Sequence, residues 1–338
     1  MAPTYKDIRR VTGLSLATIS KYFNGGTVLG ANRSLIEAAT EDLGYQVNDL
    51  ARGLRSRRSM TLGVVLAELN STFNTTIVST MEERLRDDGY GTIMCNSRGS
   101  SEVEAEAIRF LIGKMVDGIV IIPVGDDVPG LAAAAERNAP VVAIDRMVAR
   151  PSVDCVVIDN RAAIASAVDL LSSAGHTEIA LLAGPDTSFT MRERRIGFRE
   201  AVERNTGRPP RPGFTDPDAV GIEGGYDSVR RLMRLATPPT AVVCGNYEFT
   251  LGATIALNEL GEAAAPALVG FDNLELSRVI RPRPTFVTQP IADIAAQAAQ
   301  LILRRLNGEG TPEPRTVILK TELVIGDPST FALQRTQQ

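Results

Sequence analysis

The 338-residue chain is 44% hydrophobic, 22% charged and 5% aromatic, with no Trp and a net charge of −4. Its length calls for two or three compact units, its composition excludes a disordered or fibrous chain, and no run approaches the roughly 20 apolar residues of a membrane helix. Charge is unevenly spread: residues 1–60 hold nine Lys/Arg against five Asp/Glu, a surplus of four, while the remainder holds 27 against 35, a deficit of eight, the asymmetry expected when only the head touches phosphate.

In chain order, three short helices come first. Thr4 and Asp7 start one over about Tyr5 to Thr12. Gly13 turns the chain, Ser15 opens a second helix through Phe23 that Asn24-Gly25-Gly26 ends, and a third runs from about Ala31 to Leu43 and stops at Gly44. Ile8, Val11, Leu14, Ile19, Phe23, Val28, Ile36, Ala39 and Leu43 fall where one small core would form. The turn and second helix have the spacing of a helix-turn-helix, whose second helix lies in the major groove. Leu16, Ala17 and Lys21 then face base edges, Lys21 donating to guanine acceptors and the two apolar side chains touching thymine methyls. Thr18, Ser20 and Arg33 are placed for phosphates, which position the head without specifying sequence. Residues 48–60 read as a linker: Asn48 can cap a single turn through Leu54, and the basic run Arg55-Ser56-Arg57-Arg58-Ser59 follows.

From Thr61 the pattern changes. Strands are expected at Thr61–Ala67, Gly91–Asn96, Gly118–Pro123, Pro140–Asp145, Cys155–Asp159, Ile179–Ala183, Ala241–Cys244, Ala267–Phe271 and Val317–Ile325. Helices lie between most of them, such as Glu102–Met115 behind a Ser101/Glu104 capping box. Val/Ile runs alternating with helices indicate parallel sheets covered on both faces. Residues 61–338 are too many for one such sheet and divide into two lobes, about 61–159 plus 288–318 and about 160–287 plus 319–338. The expected class is therefore a helical head of residues 1–47, a linker of 48–60 and a two-lobed α/β body. No GxGxxG or Walker sequence follows a strand, so no cofactor is expected. The single histidine, His176, reads as structural, and Cys95, Cys155 and Cys244 read as buried reduced thiols. No metal site or catalytic triad can be assembled from these residues. Asp87-Asp88 and Asp126-Asp127 read as solvated turns. The N-terminus has no apolar signal core, which gives the expectation of a cytoplasmic protein without a membrane partner.

A resemblance sharpens this reading. Thr4-Tyr5-Lys6-Asp7-Ile8, Leu14-Ser15-Leu16-Ala17-Thr18-Ile19-Ser20-Lys21, Asn24, Leu43-Gly44-Tyr45 and Asn48 resemble the head of the LacI family, in which I-x-x-V-A-x-x-A-G-V-S-x-x-T-V-S-R-x-L-N leads to L-G-Y-x-P-N. Lys21 stands where that family usually has Arg, Val47 where it has Pro, and Leu29 and Asn32 where Ser and Thr often begin the third helix. The body resembles the family's periplasmic-binding-protein-like core through Leu62-Gly63-Val64-Val65, Val116-Asp117-Gly118-Ile119, Val141-Val142-Ala143-Ile144-Asp145-Arg146, Arg194-Arg195-Ile196-Gly197-Phe198, Gly270-Phe271-Asp272-Asn273 and Gln289-Pro290.

The resemblance implies a transcriptional regulator. Ser15, Leu16, Ala17, Thr18, Ser20, Lys21, Asn24 and Arg33 would contact double-stranded operator DNA. Asn48, Arg52 and Leu54 would belong to a hinge helix that folds only on DNA, because Gly53 makes it costly alone, with Leu54 wedged into a minor-groove step. A homodimer would bind a pseudo-palindromic site, a tetramer being left open. A small-molecule effector would lie between the lobes, at the carboxyl ends of the strands. Phe73 and Asn74 follow the first strand, Asn96 ends the second and Asp145-Arg146 the fourth. Arg194 begins the R-x-x-G-F run, Asn246-Tyr247 stands where the family has Asn-Asp, and Asp272 and Gln289 complete the set. Carboxylate, guanidinium, amide and an aromatic face suit a sugar or other polyhydroxylated ligand. Tyr247 removes a charge there and leaves a nucleobase-like ligand open. The rivals are a solute receptor without DNA work, opposed by the basic head, and an enzyme, opposed by the missing catalytic set.

Overall fold

The structure, a computed structural model, describes residues 3–23, 26–45, 58–148, 153–261, 265–272 and 279–333. The chain divides into two compact units, Met1–Met60 and Thr61–Gln338.

In the first unit three helices form: α1 (Tyr5–Thr12), α2 (Leu16–Phe23) and α3 (Gly30–Leu43). Asp7 Oδ2 accepts from the backbone N–H and the hydroxyl of Thr4, both at 2.9 Å. These bonds hold the Asp7 carboxyl below its usual range and fix the start of α1. Gly13 ends α1 with φ of +73°, a backbone state that favours glycine. Ser15 Oγ accepts the N–H of Thr18 at 3.1 Å and so caps α2. Ile8, Ile19, Ile36 and Ala39 are buried together, and the Phe23 ring lies 5.3 Å from both Tyr5 and Tyr45. The sequence pattern placed Val11 in this core, but it is 55% exposed: the tyrosine rings, which apolar periodicity overlooks, close the core around Ile8 instead.

The second unit carries twelve strands among its described residues, in two six-stranded sheets. The first lobe is built from β1 (Thr61–Leu66), α4 (Thr72–Asp87), β2 (Gly91–Asn96), α5 (Ser101–Gly113), β3 (Gly118–Ile122), α6 (Leu131–Glu136), β4 (Val141–Ile144) and β5 (Asp154–Ile158). The second is built from α7 (Asn160–Ser173), β6 (Ile179–Leu182), α8 (Phe189–Thr206), β7 (Thr215–Asp216), α9 (Gly221–Met233), β8 (Ala241–Cys244), α10 (Tyr247–Leu260), β9 (Ala267–Phe271) and β10 (Thr285–Thr288). The chain then returns to the first lobe as α11 (Ile291–Leu306) and β11 (Thr316–Leu319), and ends in the second as β12 (Glu322–Val324). The sheet orders are β11-β5-β4-β3-β1-β2 and β12-β10-β9-β8-β6-β7. All pairings are parallel except β10 with β12.

β-branched runs make the central strands: β3, β4 and β5 are buried at every residue, as sheets covered on both faces require. α5 and α6 cover the face that carries Val65, Ile119, Ile121 and Ala143. α11 packs on β3, β4 and β5 and against α4. α9 and α10 cover Ala180, Leu182, Val242 and Cys244 in the second lobe, and α7 packs against α8.

Some expectations change here. The run 317–325 is two strands in different sheets, divided at Lys320-Thr321, because the chain crosses between lobes there while its apolar pattern continues. Strands β7 and β10 were not foreseen; one has two residues and the other is half Thr. The cap of α5 is Ser100, whose Oγ accepts from Val103, whereas Glu104 is fully buried. Cys155 and Cys244 are buried but Cys95 is only half-buried, and all three are free thiols. Burial pushes Cys244 up to about 12. His176 is buried, its Nδ1 at 2.8 Å from the Thr240 hydroxyl and its Nε2 at 3.1 Å from the Phe331 carbonyl, so it ties the chain's last segment to the second lobe. Among the described residues no helix is long and apolar enough to cross a membrane, and no group of His, Cys, Asp and Glu is arranged to hold a metal.

Gly197 sets the approach of α8 to α7. A Cβ there would meet the Arg161 carbonyl oxygen at 2.5 Å and its Cα at 2.6 Å, and backbone cannot yield cheaply. Gly197→Ala is expected to cost about 1–3 kcal/mol, read as a lower urea midpoint with an unchanged slope.

Candidate functional site

Strand ends and helix starts from both lobes of the second unit meet in a cavity of about 460 Å³. Asp145 directly follows β4 and Asp272 directly follows β9, with φ of +69° and +56°, left-handed turns that Asp tolerates better than most residues. The two ends are built alike. Asp145 donates its N–H to the Val156 carbonyl on β5 at 2.9 Å, and Asp272 donates its own to the Val287 carbonyl on β10 at 2.7 Å. One aspartate from each lobe is thereby presented to the cavity.

Arg194 lies between them, on the second turn of α8 and 3% exposed. Its Nε donates to Asn160 Oδ1 at 2.8 Å and its Nη1 to the Gly245 carbonyl. The guanidinium lies 3.9 Å from the centroid of the Phe271 ring, a stacking worth about 2 kcal/mol when dry. Burial pulls the Arg194 pKa down, opposed by the negative charges of Asp145 and Asp272. Asp272 is raised by burial, although Gln289 donates to it from Nε2 at 2.7 Å and from its backbone N–H at 3.0 Å. Among the described residues, Gln289 Oε1 is buried without a hydrogen-bond partner, an acceptor they leave unused.

On the first lobe, Arg146 sits 3.7 Å from Asp145 and donates to the Val124 carbonyl, and its buried Nε has no hydrogen bond. Glu104 Oε2 accepts the Val124 N–H at 2.8 Å, so the backbone of this residue is held on both sides of its Cα. Asn74 Nδ2 donates to the Glu68 carbonyl at 2.8 Å, which fixes the turn after β1. Asn246 caps α10, its Oδ1 accepting from Phe249 at 2.8 Å.

Of the effector candidates, Phe73, Asn74, Asp145, Arg146, Arg194, Asn246, Tyr247, Asp272 and Gln289 all line this cavity. Asn96 does not. β2 is the edge strand of its sheet, and the Asn96 side chain turns back to accept the Arg98 N–H at 3.1 Å. Two carboxylates that the sequence reading passed over line the cavity as well, Glu68 after β1 and Glu248 in the first turn of α10. Glu248 is raised by burial and by Glu68. Both follow from the same strand-end rule that found the others. Asp126, read as a solvated turn, instead pairs across the lobes with Arg192 on α8.

In the first unit, the cap Ser15 is exposed, as are Leu16, Ala17 and Lys21 on α2, while Ile19 is buried on the opposite face of that helix. Lys21 has no carboxylate partner among the described residues. Thr18 and Ser20 are half-buried, and the Thr18 hydroxyl is 2.9 Å from that of Ser15. Arg33 is exposed on α3, 3.8 Å from Glu37, which also accepts the Tyr22 hydroxyl at 3.0 Å. Asn24, Asn48, Arg52 and Leu54 lie outside the described residues.

Residues 59–316 match the family of periplasmic binding proteins and the sugar-binding domain of the LacI family. Catabolite control protein A of Priestia megaterium is 28% identical over 313 residues, covering 91% of this chain and 94% of its own. A transcriptional regulator, CelR, solved in complex with cellobiose shares 27% identity and a TM-score of 0.72 over 96% of this chain and 99% of its own. The lac repressor dimer bound to operator and the anti-inducer ONPF has the same fold, with a TM-score of 0.84 and 24% identity over 98% of this chain and 100% of its own.

Because burial raises Asp272, the folded protein keeps that proton to a higher pH than the unfolded chain. The stability it contributes is complete below the ordinary value of 3.8 and is lost as pH rises through the raised value. Asp272→Asn is therefore expected to flatten this part of the acid-to-neutral stability profile, measured by urea unfolding across pH 3.5–7; an identical profile in the variant would contradict the assignment.

Proposed function

The chain belongs to the family of periplasmic binding proteins and LacI-type sugar-binding domains, and from that premise we propose that it is a transcriptional regulator binding a pseudo-palindromic operator as a dimer, its affinity set by a sugar-like effector. Its relatives are transcriptional regulators and repressors. The observation that carries the reading is the convergence of Asp145, Arg194, Asn246, Asp272 and Gln289, from two lobes, on one cavity. Carboxylates there accept from hydroxyl groups, the guanidinium donates to them, and Phe73 and Tyr247 offer ring faces to the apolar side of a sugar. The CelR relative holds cellobiose, which favours this ligand class.

DNA recognition rests on α2. Lys21 is free to donate to guanine, Leu16 and Ala17 can touch methyl groups, and the phosphate contacts fall to Ser15, Thr18, Ser20 and Arg33. The remaining expected contacts are Asn24 and, in the hinge, Asn48, Arg52 and Leu54. Coupling is a matter of linkage. An effector that prefers one placement of the lobes, and an operator that prefers the same or the other placement, shift each other's affinity by one common factor.

Selection of bound fragments from random duplexes, followed by gel shift against bulk genomic competitor, tests the regulator. A preferred, two-fold related sequence is expected, and no preference with or without metabolites would refute it. Lys21→Ala should lower affinity for that site by about 1–3 kcal/mol, roughly 5- to 150-fold. A thermal-shift screen with cellobiose, ribose and other sugars should give a hit that Arg194→Ala abolishes; a hit of unchanged affinity in that variant would remove the cavity from the account.

A further inference from the structure

Helix α8 has two working faces. Thr190, Met191 and Arg194 face the cavity described above, whereas Arg192, Arg195 and Arg199 line a separate groove of about 430 Å³. The opposite wall is the turn Pro209-Pro210-Arg211-Pro212, and Asp186 is the only carboxylate in the described lining. Four guanidinium groups thus gather on a body whose overall charge is negative.

Two of them, Arg195 and Arg199, keep donors that no described residue takes. Arg195 pairs with Asp186 at 2.7 Å and donates to the Gly184 carbonyl, but its Nε is buried without a hydrogen bond. Arg211 lies 3.0 Å from Glu178, which Arg208 also engages. Arg192 donates to the Asp186 carbonyl at 3.0 Å and pairs with Asp126 of the other lobe. Arg199 is exposed and has no ion pair among the described residues. Three of the four residues in the facing turn are prolines, which have no backbone N–H to offer. Recognition in this groove therefore rests mainly on planar guanidinium forks, whose geometry matches the oxygens of a phosphate group. The volume is that of a small-molecule site and favours a compact anion over a peptide.

We propose that this groove is a second ligand site, for a small phosphorylated metabolite bound through its phosphate. Arg192 gives the site a consequence. A phosphate in the groove competes with Asp126 for Arg192, and so weakens a charge contact between the lobes from the back of the helix whose front meets the effector. Binding in the groove can be tested without the effector or the operator being identified.

The test uses the full chain and pyrophosphate as probe, titrated at constant ionic strength against sodium chloride and followed by thermal shift and calorimetry. Saturable binding is expected, weakened about tenfold by Arg199→Glu, a change at an exposed side chain. Asp126→Asn frees Arg192 and is expected to tighten pyrophosphate binding. A shift no larger than that of chloride, or equal binding in the Arg199→Glu variant, which would place the anion on the basic head, overturns the proposal. Unchanged affinity in Asp126→Asn overturns the competition for Arg192.

Discussion

A guanidinium held out of water is the constraint around which the two-lobed unit is arranged. Arg194 could not remain charged at that depth without compensation, since desolvating an ion costs several kcal/mol. The compensation comes from many parts of the chain: Asn160 at the start of α7, the carbonyl of Gly245 after β8, the ring of Phe271 on β9, and the charges of Asp145 and Asp272. Gly197, one turn later on α8, lets the helix lie close enough to α7 for the bond to Asn160. A ligand entering the cavity meets donors and acceptors whose positions the fold has already fixed, and such preorganisation reduces the ordering cost of binding.

The same arrangement explains how two lobes can respond as one. Asp145 and Asp272 end equivalent strands in equivalent sheets and act on one arginine. The chain passes between the sheets three times, after β5, after β10 and between β11 and β12, so relative lobe movement is absorbed at a few connecting residues. Asp126 and Arg192 add a bond across that boundary. α8 meets the cavity around Arg194 with one face and carries the interlobe arginine on the other, so it touches both features.

Much of this was legible in the sequence because strand ends in parallel sheets are predictable sites. The runs Val141–Ile144 and Ala267–Phe271 announce strands, and Asp145 and Asp272 follow them directly. Arg194 was marked by the R-x-x-G-F run that resembles the LacI-family body. The pattern could not show that β2 lies at the sheet edge, which removes Asn96 from the cavity. Nor could it show that the run 317–325 serves two sheets, because apolar periodicity is blind to which sheet a strand joins. Glu104 looked like a helix cap and is a buried support for the peptide unit at Val124. Tyr5 and Tyr45 escaped the head's core because half-polar rings are not counted as apolar, although their packing on Phe23, one stacked and one tilted, closes it.

Under the proposed function, occupancy of the cavity around Arg194 and the affinity for operator DNA are one linked equilibrium. Linkage demands reciprocity. The most direct measurement is the dissociation constant of the effector, by calorimetry, for the free protein and for the protein saturated with operator, set against the operator's constant with and without effector. The account predicts that the two ratios agree and differ from one. An effector that binds both forms equally while operator affinity stays constant would contradict it.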